Sequence, residues 1–128
     1  MKKILLFCFI LGTALPVHAD HITGGEMFYT YVGSSNGQYS YRETAKFFKD
    51  CNINRQLNGM TYVVVYEKVS GREIQTLRAP LTHTENLRLT QHNPCISNPP
   101  VVCYDVGYYE IDITVPASAY GYILATQV

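Results

Sequence analysis

Beyond its first nineteen residues the chain alternates apolar and polar positions with a period of two, the spacing of a strand with one buried and one wet face. From residue 38 to 48, Tyr39, Tyr41, Ala45 and Phe47 alternate with Ser40, Arg42, Thr44 and Lys46. The clearest run is 104–115, where Tyr109, Ile111, Ile113 and Val115 stand against Glu110, Asp112 and Thr114. Weaker patterns predict strands over 26–32, 61–69, 72–78, 85–90 and 120–127. Turn chemistry separates them. Asn36-Gly37 is a hairpin signal, because both residues tolerate positive φ. Ser70-Gly71 joins 61–69 to 72–78 as a second hairpin, and 52–60 reads as a loop ending in Asn58-Gly59. Residues 91–100 hold Pro94, Pro99 and Pro100 and are unsuited to a central strand.

About seven strands with closely spaced turns predict an all-β, immunoglobulin-like antiparallel β-sandwich, with no helix after the first segment. Residues 123–128, Ile-Leu-Ala-Thr-Gln-Val, stop in mid-strand. A long flat strand at a sheet edge is an aggregation hazard, so the expectation is a domain over 20–128 truncated at its C-terminus.

The first segment differs. Met1-Lys2-Lys3 is positive, 4–15 is apolar, Pro16 ends any helix, and Val17-His18-Ala19 fits a cleavage site. The expectation is a signal-peptide helix over 1–19, cleaved between Ala19 and Asp20, and export through the Sec pathway. The apolar run is well short of the roughly 20 residues that span a bilayer, so no membrane span is expected after cleavage. Cys8 lies inside the run, which argues against a lipoprotein signal.

Removing Lys2 and Lys3 leaves eight basic against ten acidic residues, a net charge of −2. That balance gives no reason to expect nucleic acid as a partner. Export changes the reading of the cysteines, since disulfides form in oxidising compartments. Cys51, Cys95 and Cys103 remain. Cys95 and Cys103 are close in sequence across a Pro-rich stretch, so they are expected to pair. Cys51 is then left unpaired, or pairs beyond this sequence. All eleven tyrosines follow the signal, with three phenylalanines and no tryptophan. Half-buried Tyr positions in strands account for most of them; an exposed aromatic patch is the alternative.

Chemistry is sparse. His21, His83 and His92 sit in no nucleophile-elbow, metal or phosphate-loop motif. Glu110 and Asp112 share a strand face, most simply the solvent side, and with Asp105 they form no recognised calcium loop. Gly24-Gly25 suggests close backbone packing or a bulge. No catalytic residue, metal ligand or cofactor is expected.

Three segments together carry a resemblance: Ala19-Asp20-His21-Ile22-Thr23-Gly24-Gly25-Glu26, Phe48-Lys49-Asp50-Cys51-Asn52, and residues 95–104, whose sequence is CISNPPVVCY. They are similar to the N-terminal region of large secreted surface proteins of gliding bacteria. Such proteins carry polycystic-kidney-disease-type (PKD) Ig-like repeats and a gliding-motility-associated C-terminal domain, and leave by type IX secretion. The resemblance implies a non-catalytic, structural or adhesive module at the cell surface. Its partners would be extracellular polymers or neighbouring domains of the same protein. It also implies downstream cysteines as partners for Cys51. The chain departs from that pattern at Glu43, where relatives have an aliphatic residue on the inward side; the carboxylate implies a strand edge or local divergence. Two alternatives stand beside this reading: a secreted carbohydrate- or calcium-binding β-sandwich, and an accessory domain of a secreted hydrolase.

Overall fold

In the computed structural model, residues 22–88, 95–98 and 101–127 are described. The expected signal peptide, its expected Ala19–Asp20 cleavage site, His21 and His92 lie outside the described residues. Alternation along the chain becomes pairing across it in six strands: β1 (Ile22–Ser35), β2 (Gln38–Asp50), β3 (Met60–Glu67), β4 (Glu73–Arg88), β5 (Cys103–Pro116) and β6 (Tyr122–Gln127). All pairings are antiparallel, in the order β1-β2-β5-β4-β3-β6. No helix occurs among the described residues.

The β1–β2 hairpin turns on Asn36-Gly37, both at positive φ (51° and 71°), as the sequence predicts. Gly24-Gly25 also behaves as expected. The β1 register shifts between Ile22 and Gly24, and a Cβ at Gly25 would lie 3.0 Å from the Phe47 ring. The β2–β5 register runs unbroken from Gln38↔Pro116 to Asp50↔Tyr104. It puts the odd-numbered residues of both strands on one face.

Among the described residues there are six strands rather than seven. The expected strand at 72–78 and the described part of that at 85–90, up to Arg88, belong to one strand, β4. Its first half pairs with β3 up to Met60↔Pro80, and its second half pairs with β5 from Leu81↔Tyr109. Pro80 has no N–H to donate, and Leu81 N donates to Gly59 O (2.9 Å), so the strand changes partner without stranding a buried donor. The residues between the two patterned runs look like a break in sequence because each half follows a different partner.

This switch also builds the core. Ala45 and Phe47 of β2, Val63 and Val65 of β3, Ala79 of β4, and Tyr109, Ile113 and Val115 of β5 form one buried cluster. Strands β2 and β3 are not neighbours in the sheet, so sharing a core requires the sheet to curl over along β4. Each large apolar side chain so buried contributes roughly 1.5–3 kcal/mol.

The cysteine expectation is overturned. Asp50 lies opposite Tyr104, which puts Cys51 beside Cys103, and Cys51 N donates to Cys103 O (3.3 Å). Their Cα atoms are 5.6 Å apart and the two are disulfide-bonded, a separation ordinary for such a bond. Cys103 therefore does not pair with Cys95, and Cys51 is not left over. Sheet register, not distance along the chain, chooses the partner. Cys95 is exposed and lies outside this bond.

Candidate functional site

The two ends of the fold are built differently. At the end holding Cys51 and Cys103, the loop 51–59 packs down on β5. Leu57 and Leu81 approach Gly107 so closely that a Cβ there would lie 2.9 and 3.0 Å from their methyls. The Tyr109 hydroxyl donates to Asn58 O (2.7 Å). Lys49, almost wholly buried, donates from Nζ to Ile53 O (3.1 Å) and pairs with the Asp105 carboxylate (3.0 Å). Asn86 and Lys49 hold the Asp105 carboxyl below its usual range through their hydrogen bonds. A cavity of about 510 Å³ lies at this end; of its polar lining, Lys49 and Asn86 are both bonded to Asp105, and Glu85 accepts from the Tyr108 hydroxyl, while Arg55, Gln56 and Thr84 complete its rim.

The other end is aromatic and open. On the inward face of β1, Met27, Tyr29 and Tyr31 lie opposite Ala45, Glu43 and Tyr41 of β2. The curled part of the sheet does not reach over them: Tyr29 is 64% exposed and Tyr31 53%. The rings pack edge to face, Tyr29 on Tyr41 (5.8 Å between centroids), Tyr31 on Tyr41 (5.6 Å) and Tyr31 on Tyr39 (6.2 Å). Burial, then the neighbouring Tyr31, Tyr39 and Tyr29 phenols, push the Tyr41 phenol upward in pKa.

A cleft of about 280 Å³ opens beside this cluster, walled by Tyr29, Tyr41, Tyr120 and Tyr122. Its apolar floor includes Val65, Ile113 and Leu124. Lys68, in the β3–β4 turn, is the one charged residue lining it. The Tyr122 hydroxyl donates to Pro116 O (2.6 Å) and fixes that ring. Lys68 N donates to Gly121 O (3.3 Å), which ties the turn to the approach to β6.

Glu43 lies one row further in. It faces Tyr29 and Ile111 in register and follows Tyr41 by two residues on the same face. It is fully buried, and neither carboxylate oxygen has a hydrogen-bond partner. Desolvation pushes its carboxyl up to about 7. Strand β2 is interior to the sheet, so Glu43 is not at a strand edge.

The remaining candidates do not converge. Asp112 faces outward and takes a two-pronged pair from Arg42 (2.8 and 3.0 Å), which holds its carboxyl low. His83 is exposed, with its ring stacked on Tyr108 at 4.0 Å. The Tyr108 hydroxyl donates to Glu85 (2.7 Å), and that bond pushes its phenol upward in pKa, against any nucleophilic use. Among the described residues no three His, Cys, Asp or Glu side chains group closely enough to hold a metal ion.

Sequence reasoning missed the cleft, though part of its signal was present. The tyrosines crowd both sides of the Asn36-Gly37 turn, but Tyr31 lies five residues before Asn36 and Tyr41 four after Gly37, and the two face each other only because the β1 register shifts between Tyr31 and Gly33. Nothing in the sequence brings Tyr120 and Lys68 to the same place; that follows from the β3–β6 pairing. No family model matches the chain, and neither a curated protein nor a solved structure matches it.

Proposed function

We propose that this chain is a non-catalytic module of an exported cell-surface protein, structural or adhesive, with the tyrosine-rich end as its contact surface. The curled sheet is read as an Ig-like sandwich, and the partners as extracellular polymers or neighbouring domains of the same protein. The observation that carries this reading is the placement of Tyr29, Tyr31 and Tyr120, each more than half exposed, at one end of a disulfide-clamped scaffold. Tyrosine supplies large contact area with little side-chain entropy to lose, which suits a binding face. The Cys51–Cys103 bond agrees with an oxidising compartment outside the cytoplasm. A link to gliding-motility surface proteins rests on the resemblance of the three segments described above.

The test is retention of the purified chain on a panel of immobilised extracellular polysaccharides, run beside a Tyr29→Ser/Tyr120→Ser variant. Retention by at least one polymer, lost in the variant, is expected. Equal retention of both proteins on every polymer sinks the assignment of the surface. A second reading, a carbohydrate-binding module in its own right, is favoured by the cleft, whose size is that of a small-ligand site.

A further inference from the structure

We propose that the tyrosine-walled cleft takes a carboxylate-bearing sugar, a uronic-acid unit of an acidic polysaccharide, with Lys68 as the partner of the carboxylate. The inference rests on the adhesive reading and names the chemistry of the polymer.

Size comes first. At about 280 Å³ the cleft falls just below the range of drug-sized ligand sites, roughly 300 to 1,000 Å³. It suits a sugar ring and not a helix or a folded segment. The walls are next. Four phenol rings over an aliphatic floor provide flat apolar faces for the C–H side of a pyranose. The Tyr122 ring is held in place by its bond to Pro116 O. The hydroxyls of Tyr29, Tyr41 and Tyr120 make no hydrogen bond to another described residue, so they are available to the hydroxyls of a sugar.

Charge then selects among sugars. No Asp or Glu lines the cleft, and its single charged residue is Lys68. That ammonium takes part in no ion pair among the described residues. An aromatic cage for a cation places carboxylates, not an ammonium, beside the rings. Two carboxylates stand near it without lining it: Glu43 is fully buried and has no access to a ligand, and Glu67, opposite Tyr122, accepts the Ser70 hydroxyl (2.5 Å). The cleft is therefore complementary to an anion presented on an otherwise apolar and hydroxylated ring. A carboxylate held by an ammonium is a charge-assisted hydrogen bond, stronger than a neutral one.

The test is calorimetric titration of the purified chain with trigalacturonate and with its methyl ester, two ligands that differ only in the charged group. The acid is expected to bind about tenfold more tightly than the ester, the margin of one charge-assisted contact. Lys68→Ala should abolish that margin, Lys68→Arg should keep most of it, and Tyr120→Ala should weaken both ligands together. Lys68 and Tyr120 are exposed, so unchanged melting curves are expected for all three variants. Salt provides a measurement on the unmodified chain: raising it to about 0.5 M should erode binding of the acid and spare the ester. Equal binding of acid and ester, or an unchanged margin in Lys68→Ala, overturns the inference while leaving a sugar-binding cleft. Failure of the chain to bind either ligand, with no retention on any polysaccharide, overturns the adhesive reading as well.

Discussion

The two ends of the sheet spend their side chains on opposite tasks. At one end a disulfide, the pair between buried Lys49 and Asp105, and the Leu57–Gly107 contact bind strand ends and loop together. At the other, Ala117 N donates to Gly37 O (2.7 Å) and Lys68 N to Gly121 O, and Tyr29, Tyr31 and Tyr120 stand exposed. A domain of this size buries only about two-thirds of its unfolded surface, so it has little stability to spare. Tight constraint at one end lets the other leave aromatic area in water. The difference teaches that apolar exposure here is local and placed, not a shortage of core.

The sharpest way to break this comparison is to remove the clamp. The Cys51–Cys103 bond spans 52 residues of chain. Closing a loop of that length in the unfolded state is worth about 4 kcal/mol in the chain-entropy account. A Cys51→Ala/Cys103→Ala double variant should lose about that much in a denaturant titration, and the oxidised chain should lose a similar amount on reduction. Peptide mapping should recover Cys51 joined to Cys103; recovery of Cys95 joined to Cys103 would break the assignment of the clamped end.

Glu43 sharpens the comparison from the open side, where its burial is a cost. Its folded pKa, about 7, lies above the ordinary value of 4.5. Between those values the folded state holds more protons than the unfolded one, so stability falls as pH rises. The loss begins near pH 4.5 and is complete above pH 7, amounting to roughly 3 kcal/mol. Glu43→Leu should therefore gain about that much at pH 8, far less at pH 5, and should flatten the pH profile. Glu43→Gln should remove the pH dependence and keep the burial of an unpartnered polar group. A wild-type profile that is flat from pH 5 to 8 would show that Glu43 reaches water.

How far these features were legible depends on whether they are local. The β1–β2 hairpin was, because Asn36-Gly37 and the Tyr39 to Phe47 alternation act within a few residues. The outward setting of Asp112 was legible for the same reason. The β4 crossing was not: its two halves answer to different partner strands, and a window along the chain sees only a break at Pro80. The disulfide failed for a related cause. Cys95 is nearer to Cys103 in sequence, but Cys51 is nearer in the sheet, and only the β2–β5 register says so. Glu43 was placed on the inward face, yet its burial without a partner depends on what curls over it. The cleft joins residues from β1, β2, β5, the β3–β4 turn and the approach to β6, and no periodicity encodes such a meeting.

The packing of the loop on Gly107 gives a smaller effect. Gly107→Ala pushes a methyl into Leu57 and Leu81 at 2.9 and 3.0 Å, with the Tyr109 ring at 3.2 Å. Overpacking of this kind costs typically 1–3 kcal/mol. A loss of about 2 kcal/mol is expected, with earlier exchange of the amides in loop 51–59. Leu57→Ala in the same chain should restore part of it, because the methyl that clashes is gone. A neutral Gly107→Ala would show that the loop does not press on β5 and that this end is held by the disulfide alone.

The smallest effect is expected where the comparison predicts slack. Tyr31 is half exposed and touches Tyr39 and Tyr41 only edge to face. Aromatic pairs of this type are worth about 0.5–1.5 kcal/mol beyond area burial, and less where water reaches both rings. Tyr31→Ala should lower stability by no more than about 1 kcal/mol. If the cluster serves as a contact surface, the same change should weaken retention on a bound polymer by more than it weakens the fold. A loss of stability as large as that from opening the disulfide would mean that the tyrosines are core in disguise, and the distinction between a clamped and an open end would fall.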